Sequence, residues 1–228
     1  MPAKFEILKR IVDVGLVAVV RADGEDQALR IAEAVLAGGC PAIELTFTVP
    51  GAHRVIEALA RRFDSSEIIL GAGTVLDPET ARIALLSGAR FIVSPALNLD
   101  TVRLCHRYQA PVMPGAMSVK EVLEAMESGA DIVKLFPGEA FGPSMLKAVL
   151  GPLPQAPLMP TGGVDVDNVS DWIRAGAVAV GVGGRLTAPA RSGDFNAVTR
   201  ATRAFVEAIR AVRGGGDEQR EAGRALGR

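Results

Sequence analysis

Lys134 and Glu44 are the two side chains of this 228-residue chain whose surroundings most favour chemistry. Lys134 interrupts the apolar run 130–137 (Ala-Asp-Ile-Val-Lys-Leu-Phe-Pro), which is typical of a strand. Burial disfavours the charged form of an amine, and a neutral amine is a nucleophile for carbonyl carbons. Glu44 lies in a second apolar run, 42–46, where its carboxyl group can carry a proton. The pair therefore suggests a nucleophile and a proton shuttle, with a snorkelling lysine or a buried ion pair as the alternative interpretations.

Short apolar, β-branched runs alternate with helical patterns along most of the chain. The runs predicted as strands are 16–20, 42–46, 68–72, 91–94, 111–114, 132–135, 158–161 and 178–182. Near-continuous apolar strands, each followed by a helix, indicate a parallel sheet that is covered on both faces. We therefore predict an α/β fold with one (β/α)8 TIM barrel over residues 1–213, and an open doubly wound sheet is the alternative. An extra helix is expected at Phe5–Asp13, and the polar, glycine-rich segment 214–228 is expected to be a flexible, disordered tail.

Four of the predicted helices end on a similar glycine-containing pattern, which suggests a weak internal repeat. The glycines, each predicted to be a left-handed helix cap, are Gly39, Gly88, Gly129 and Gly176. Five residues beyond these caps stand Glu44, Val93, Lys134 and Gly181. Because barrel interiors are filled in layers of four side chains from alternate strands, the count places these four residues in one interior layer.

The ends of the predicted strands carry further candidates. Arg21 ends the first strand, where a guanidinium group could hold a carboxylate, and Thr74 follows the glycine-containing end of the third. Glycine pairs follow the last two strands, at 162–163 and 183–184. In barrels of this kind, the loops after strands seven and eight often bind phosphate, although plain turns also use such glycines.

The composition gives no sign of a nucleic-acid or membrane partner, because the net charge is −1 and no run of 18 apolar residues occurs. The two cysteines, Cys40 and Cys105, stand in apolar surroundings and are expected to be reduced core thiols of a cytoplasmic protein. No Asp, His or Cys cluster has metal-ligand spacing, so we expect neither a metal site nor a cofactor.

Together these segments resemble the 2-keto-3-deoxy-6-phosphogluconate (KDPG)/4-hydroxy-2-oxoglutarate (KHG) aldolase family. The resemblance covers roughly residues 5–212. It rests on the segments 17–22, 42–50, 71–75, 92–95, 113–115, 132–137, 160–164 and 181–184.

The resemblance implies a metal-independent class I aldolase in which Lys134 forms a Schiff base and Glu44 transfers protons. It further implies that a phosphorylated keto acid is cleaved to pyruvate and glyceraldehyde 3-phosphate, and that the barrels assemble as homotrimers. The substrate-binding residues that it implies are Arg21, Thr46, Thr74, Pro95, Phe136, Thr161, Gly162, Gly163, Gly183 and Gly184.

Two positions depart from the pattern of the family. Thr48 stands where many members carry an arginine that binds the substrate carboxylate, and we expect Arg21 to supply that charge instead. Gly184 stands where many members have a serine. Thr161 matches the gluconate-type enzymes, whereas galactonate-type relatives have valine there. The alternatives are a galactonate-type aldolase, a phosphosugar isomerase or epimerase, and a non-catalytic protein that binds a phosphorylated metabolite.

Overall fold

The computed structural model describes residues 3–226, with the side chains of residues 3–214. All the strand pairs recorded among these residues are parallel. The strands are β1 Leu16–Val20, β2 Ala42–Thr46, β3 Ile69–Gly73, β4 Phe91–Val93, β5 Val112–Met113, β6 Gly115–Ala116, β7 Val133–Leu135, β8 Leu158–Pro160 and β9 Val180–Val182. The eight predicted strands are thus confirmed with shifts of one or two residues at several ends, and the fifth is split into β5 and β6 on either side of Pro114.

Helices follow the strands, as the apolar periodicity predicts. They are α1 Ala3–Val14, α2 Glu25–Ala37, α3 Ala52–Arg62, α4 Pro78–Leu86, α5 Leu99–Arg107, α6 Val119–Glu127, α7 Pro143–Leu150, α8 Val169–Arg174, α9 Gly184–Thr187 and α10 Phe195–Leu226. Short 3-10 helices occur at Gly138–Ala140 and Ala188–Ser192. Helix α1 is the extra N-terminal helix expected from the sequence, and none of the helices described is both long and apolar enough to cross a bilayer.

The strands form two parallel sheets that curl toward each other. Six strands are hydrogen-bonded in the order β5-β4-β3-β2-β1-β9, and three in the order β6-β7-β8. A single bridge between Thr161 and Gly181 links the end of β8 to β9. The architecture is therefore an α/β fold built on a curled parallel sheet.

Local sequence explains where four of the helices end. All four glycines predicted as left-handed caps have positive φ, between 91° and 111°. After each of these turns the chain enters the next strand within a few residues, so the side chains of that strand point in a direction fixed by the turn.

The core lies on both faces of the sheet and includes Cys40 and Cys105, which are free and buried. Helix α10 continues through Leu226, so the structure describes helix over 214–226, and the flexible, disordered tail expected for 214–228 stays a prediction.

Candidate active site

Glu44 lies in the middle of β2 and is almost completely buried, with 1% of its surface exposed. Neither of its carboxylate oxygens has a hydrogen-bond partner. Burial raises the pKa of the Glu44 carboxyl, and the positive charges of Lys134 and Arg21 oppose that effect without cancelling it. The structure therefore contains a buried carboxyl group that is available to a ligand.

Lys134 is the middle residue of β7, and only 6% of its surface is exposed. Its Nζ lies 5.1 Å from the centre of the Phe136 ring. Its backbone N–H donates to Pro114 O at 2.9 Å, which fixes the position of the strand at this residue. The Lys134 side chain is thus buried beside the Phe136 ring, and its charge acts on the Glu44 carboxyl group.

Strand register places Lys134 and Glu44 on the same face of the curled sheet. Paired residues of parallel strands point to the same side, and so do residues two apart in one strand. Lys134 pairs with Met159, and two residues further on Thr161 pairs with Gly181. Gly181 pairs with Val17, and two residues further on Val19 pairs with Glu44. The expectation that Glu44, Lys134 and Gly181 face one interior is confirmed, and Val93 joins them because Gly71 pairs with both Glu44 and Phe91.

Arg21 follows β1 and is exposed, with its guanidinium group beside Gly183. A small cavity at this point is also lined by Gln27, Gly184 and Arg191. Two guanidinium groups therefore line one cavity at the carboxyl ends of β1 and β9. The sequence reasoning found Arg21 but missed Gln27 and Arg191, because nothing in their local sequence distinguishes them from other surface residues.

Two threonines on neighbouring strands bring hydroxyl groups to the same edge. Thr46 ends β2, and its Oγ1 lies 2.7 Å from Oγ1 of Thr48. Thr74 directly follows β3 and has φ 56°, a left-handed conformation that is rare for a β-branched residue. Residues with a strained backbone cluster at functional sites, and Thr74 is also a residue for which the sequence suggests ligand contact.

The glycine pair that follows β8 is a left-handed turn, with φ 93° at Gly162 and 68° at Gly163. Thr161 lies before it, buried, with a hydroxyl group that has no hydrogen-bond partner. Glu139, from the 3-10 helix after β7, packs against both glycines, so that a Cβ on Gly163 would lie 2.7 Å from Glu139 Cα. The sequence reasoning missed Glu139, because its approach to this turn depends on tertiary packing.

The other predicted residues lie at the same end of the sheet. Phe136 follows β7, and Pro95 follows β4 with its carbonyl group against Gly115. Gly183 and Gly184 begin the short helix α9 after β9. The structure thus brings all twelve predicted site residues to the carboxyl ends or the inner face of the strands. In the part of the chain described, no three His, Cys, Asp or Glu side chains are grouped as metal ligands.

Comparison with known proteins agrees with this geometry. The model of the family described as "KDPG and KHG aldolase" matches residues 7–201. A 2-dehydro-3-deoxy-phosphogluconate aldolase of Treponema pallidum (strain Nichols) is 36% identical over 199 residues, which cover 86% of this chain and 92% of that protein. A 2-dehydro-3-deoxy-6-phosphogalactonate aldolase of Escherichia coli (strain K12) is 34% identical, with 86% and 94% covered.

Solved structures give the same result. The crystal structure of a KDPG aldolase from Legionella pneumophila, with pyruvate captured at low pH as a covalent carbinolamine intermediate, superposes with a TM-score of 0.81. The two chains are 28% identical, and the match covers 87% of this chain and 97% of the other. The family match and the named relatives define the class of this protein, which is an aldolase, a carbon–carbon lyase. This chain belongs to the KDPG and KHG aldolase family.

Proposed function

We propose that this protein is a class I aldolase that cleaves 2-dehydro-3-deoxy-6-phosphogluconate to pyruvate and glyceraldehyde 3-phosphate. The observation that carries the proposal is the placement of Lys134 and an unpaired Glu44 carboxyl on one inner face. Membership of the aldolase family supports the same reaction class.

In the first step, the Lys134 amine attacks the C2 carbonyl carbon of the keto acid. Loss of water from the resulting carbinolamine gives an iminium ion, which is an electron sink for the next step. The attack requires the uncharged amine, and Lys134 is buried beside the Phe136 ring, where the keto acid would meet it away from bulk water.

In the second step, Glu44 takes the proton of the C4 hydroxyl group. The C3–C4 bond breaks, its electron pair moves into the iminium ion to give an enamine, and the aldehyde leaves. Glu44 then returns its proton to C3, and water hydrolyses the iminium ion to pyruvate and free Lys134. A raised pKa suits this role, because the carboxyl group must both accept and donate a proton near neutral pH.

The strand ends supply groups for both ends of the substrate. Thr74 would hold the carboxylate. Arg21 is the cation expected to replace the arginine absent at Thr48, but its guanidinium group lies beside Gly183, next to the turn proposed for the phosphate. The turns at 162–163 and 183–184 would hold the phosphate through backbone N–H groups. Glu139 carries the same sign of charge as a phosphate, so its side chain must turn away from Gly162 when phosphate binds.

Two related substrates are open to this site. The galactonate epimer is the substrate named for one relative, and KHG, which would yield pyruvate and glyoxylate, is named in the family description. Thr161 favours the gluconate epimer by the resemblance noted above. An isomerase, an epimerase or a non-catalytic binding protein would need no covalent bond to Lys134, so trapping the adduct separates these classes.

The experiment is borohydride reduction in the presence of pyruvate, followed by peptide mass mapping. We expect a stable adduct on the peptide that contains Lys134, and the same adduct in the presence of a chelator. Lys134→Met should abolish both the adduct and cleavage, whereas Lys147→Met, which removes an exposed amine, should change neither. A folded, active protein without an adduct would exclude the Schiff-base reaction.

The finer architecture and assembly are also proposals. Closure of the sheet into an eight-stranded barrel is supported by the bridge between Thr161 and Gly181 and by the single residue, Pro114, that separates β5 from β6. Assembly as homotrimers is supported by exposed apolar side chains on and around α4–α6. These are Leu76, Ile83, Leu86, Leu99, Met117, Val119 and Leu123. A cytoplasmic location is supported by the two free thiols.

A further inference from the structure

Gly73, the last residue of β3, faces Glu44 across the inner face of the sheet. The Glu44 side chain lies over the bare Cα of this glycine. A methyl group built on Gly73 would overlap Glu44 Oε1, and it would lie 2.5 Å from Cδ and 2.7 Å from Cγ. The three nearest atoms that such a methyl group would meet all belong to Glu44.

The backbone does not require a glycine at this position. Gly73 is a strand residue and is not among the glycines with a left-handed φ, so alanine fits its backbone conformation. Glycine in a strand has no side chain to pack and loses more entropy on folding than alanine does, so it is unfavourable in itself. The space that the missing side chain leaves is therefore the feature that needs an explanation.

Gly71, two residues earlier on the same face, is a useful contrast. A methyl group there would overlap the Phe91 ring, which is completely buried. The space beside Gly71 is thus used for core packing, whereas the space beside Gly73 is used by a carboxyl group without hydrogen-bond partners. In the strand register, Glu44 pairs with Gly71, and Gly73 pairs with Thr46. Because the Glu44 side chain lies over Gly73 and not over its own partner, it is tilted toward the carboxyl ends of the strands.

We propose that Gly73 is a positioning residue for the aldolase reaction, because it leaves the space that the Glu44 carboxyl group occupies. This inference rests on the proposed function. Without that space, the Glu44 side chain would have to take another rotamer, and its carboxyl group would leave the position from which it reaches the substrate C4 hydroxyl group. Misplacement of a general base by about 1 Å is enough to reduce its rate contribution strongly.

The first test is the kinetics of Gly73→Ala. We expect kcat for cleavage to fall about 100-fold, within the range that a general acid–base group contributes, with KM changed by less than about threefold. Lys134 is not displaced, so the borohydride adduct with pyruvate should still form at saturation. Failure to trap the wild-type protein would refute the proposed function, whereas a trapped wild-type protein with an unimpaired Gly73→Ala variant would refute the role of Gly73 alone.

The second test asks whether Gly73 acts through Glu44. Aspartate is shorter than glutamate by one methylene group, so Glu44→Asp removes the shortest of the three contacts with a methyl group on residue 73, that of Oε1. We expect Gly73→Ala to lower kcat by a smaller factor in the Glu44→Asp background than the about 100-fold expected in the wild type. Equal factors in the two backgrounds would overturn the proposal.

The third test needs no activity and therefore remains informative if the variants are inactive. Gly73→Ala should lower the midpoint of urea unfolding in the wild type, and the loss should disappear in the Glu44→Ala background, which lacks the three atoms that lie nearest to the new methyl group. Gly71→Ala is the matched control, and its loss should be the same in both backgrounds, because it arises at Phe91. A loss for Gly73→Ala that persists in the Glu44→Ala background would show that Glu44 is not the reason for the glycine.

Discussion

Replacement of Glu44 by glutamine should increase stability while abolishing cleavage. Glutamine has nearly the shape of a protonated glutamic acid and carries no charge. Glu44 is completely buried, and both of its oxygens lack hydrogen-bond partners, so its ionised form is unfavourable in the folded protein. Each pH unit between the ordinary and the raised pKa of Glu44 corresponds to about 1.4 kcal/mol, which is the gain per unit that we expect for Glu44→Gln across that range.

The gain should depend on pH in a defined direction. Burial raises the pKa of Glu44 above its ordinary 4.5, so between these two values the folded state keeps a proton that the unfolded chain has released. The free energy of unfolding of the wild type therefore falls as the pH rises through this window, and it levels off above the raised pKa. Below pH 4.5 the two proteins should be about equally stable, and the advantage of Glu44→Gln should grow as the pH rises.

The assay is urea unfolding from pH 4 to pH 8 at one protein concentration, because association of subunits would also change the apparent stability. Glu127→Gln, which removes an exposed carboxylate from α6, controls for the loss of one negative charge. A Glu44→Gln variant that is less stable than the wild type at pH 8, or equally more stable at every pH, would refute the reasoning. It would mean that the Glu44 carboxylate is compensated by Lys134 and Arg21.

Three further predictions concern single positions. Thr74→Gly should raise the free energy of unfolding by about 1 kcal/mol, because glycine tolerates φ 56°. It should also raise KM for the keto acid, and an unchanged KM would exclude Thr74 from substrate binding. Thr161→Val removes a buried hydroxyl group without a partner, so stability should not fall. Cleavage should shift toward the galactonate epimer, and an unchanged ratio of the cleavage rates of the two C4 epimers would contradict this. Burial raises the pKa of Cys40 and Cys105 to about 12, so iodoacetamide at pH 8 should modify them only after unfolding, and rapid labelling of the folded protein would contradict this.

Much of the fold follows from local sequence. The capping box of Ser118 and Glu121 begins α6, and Asp77 with Pro78 begins α4, as their spacing predicts. The direction in which Glu44 and Lys134 point was also predictable, because the glycine caps fix the length of each turn into the strand. The split of the fifth strand is a local effect as well, since Pro114 has no N–H group to donate to a neighbouring strand.

The remaining features depend on contacts between segments that are distant in sequence. The overlap of Glu44 with the space of Gly73 requires the register of β2 and β3, which the sequence does not specify to the residue. The approach of Glu139 to Gly162 depends on how two loops pack. The sequence does not predict that α10 continues over 214–226, because the three consecutive glycines at 214–216 disfavour a helix.

The glycines on the inner face of the sheet restrict how this sequence can evolve. Gly71 accommodates Phe91, Gly73 accommodates Glu44, and Gly181 accommodates Thr161, each on an adjacent strand or at its end. A larger residue at one of these positions is tolerable only if its neighbour shrinks at about the same time. Relatives with other substrate preferences should therefore show covariation between the members of each pair. A variant designed for a different substrate should therefore replace the glycine and the residue that it accommodates together, and not one of them alone.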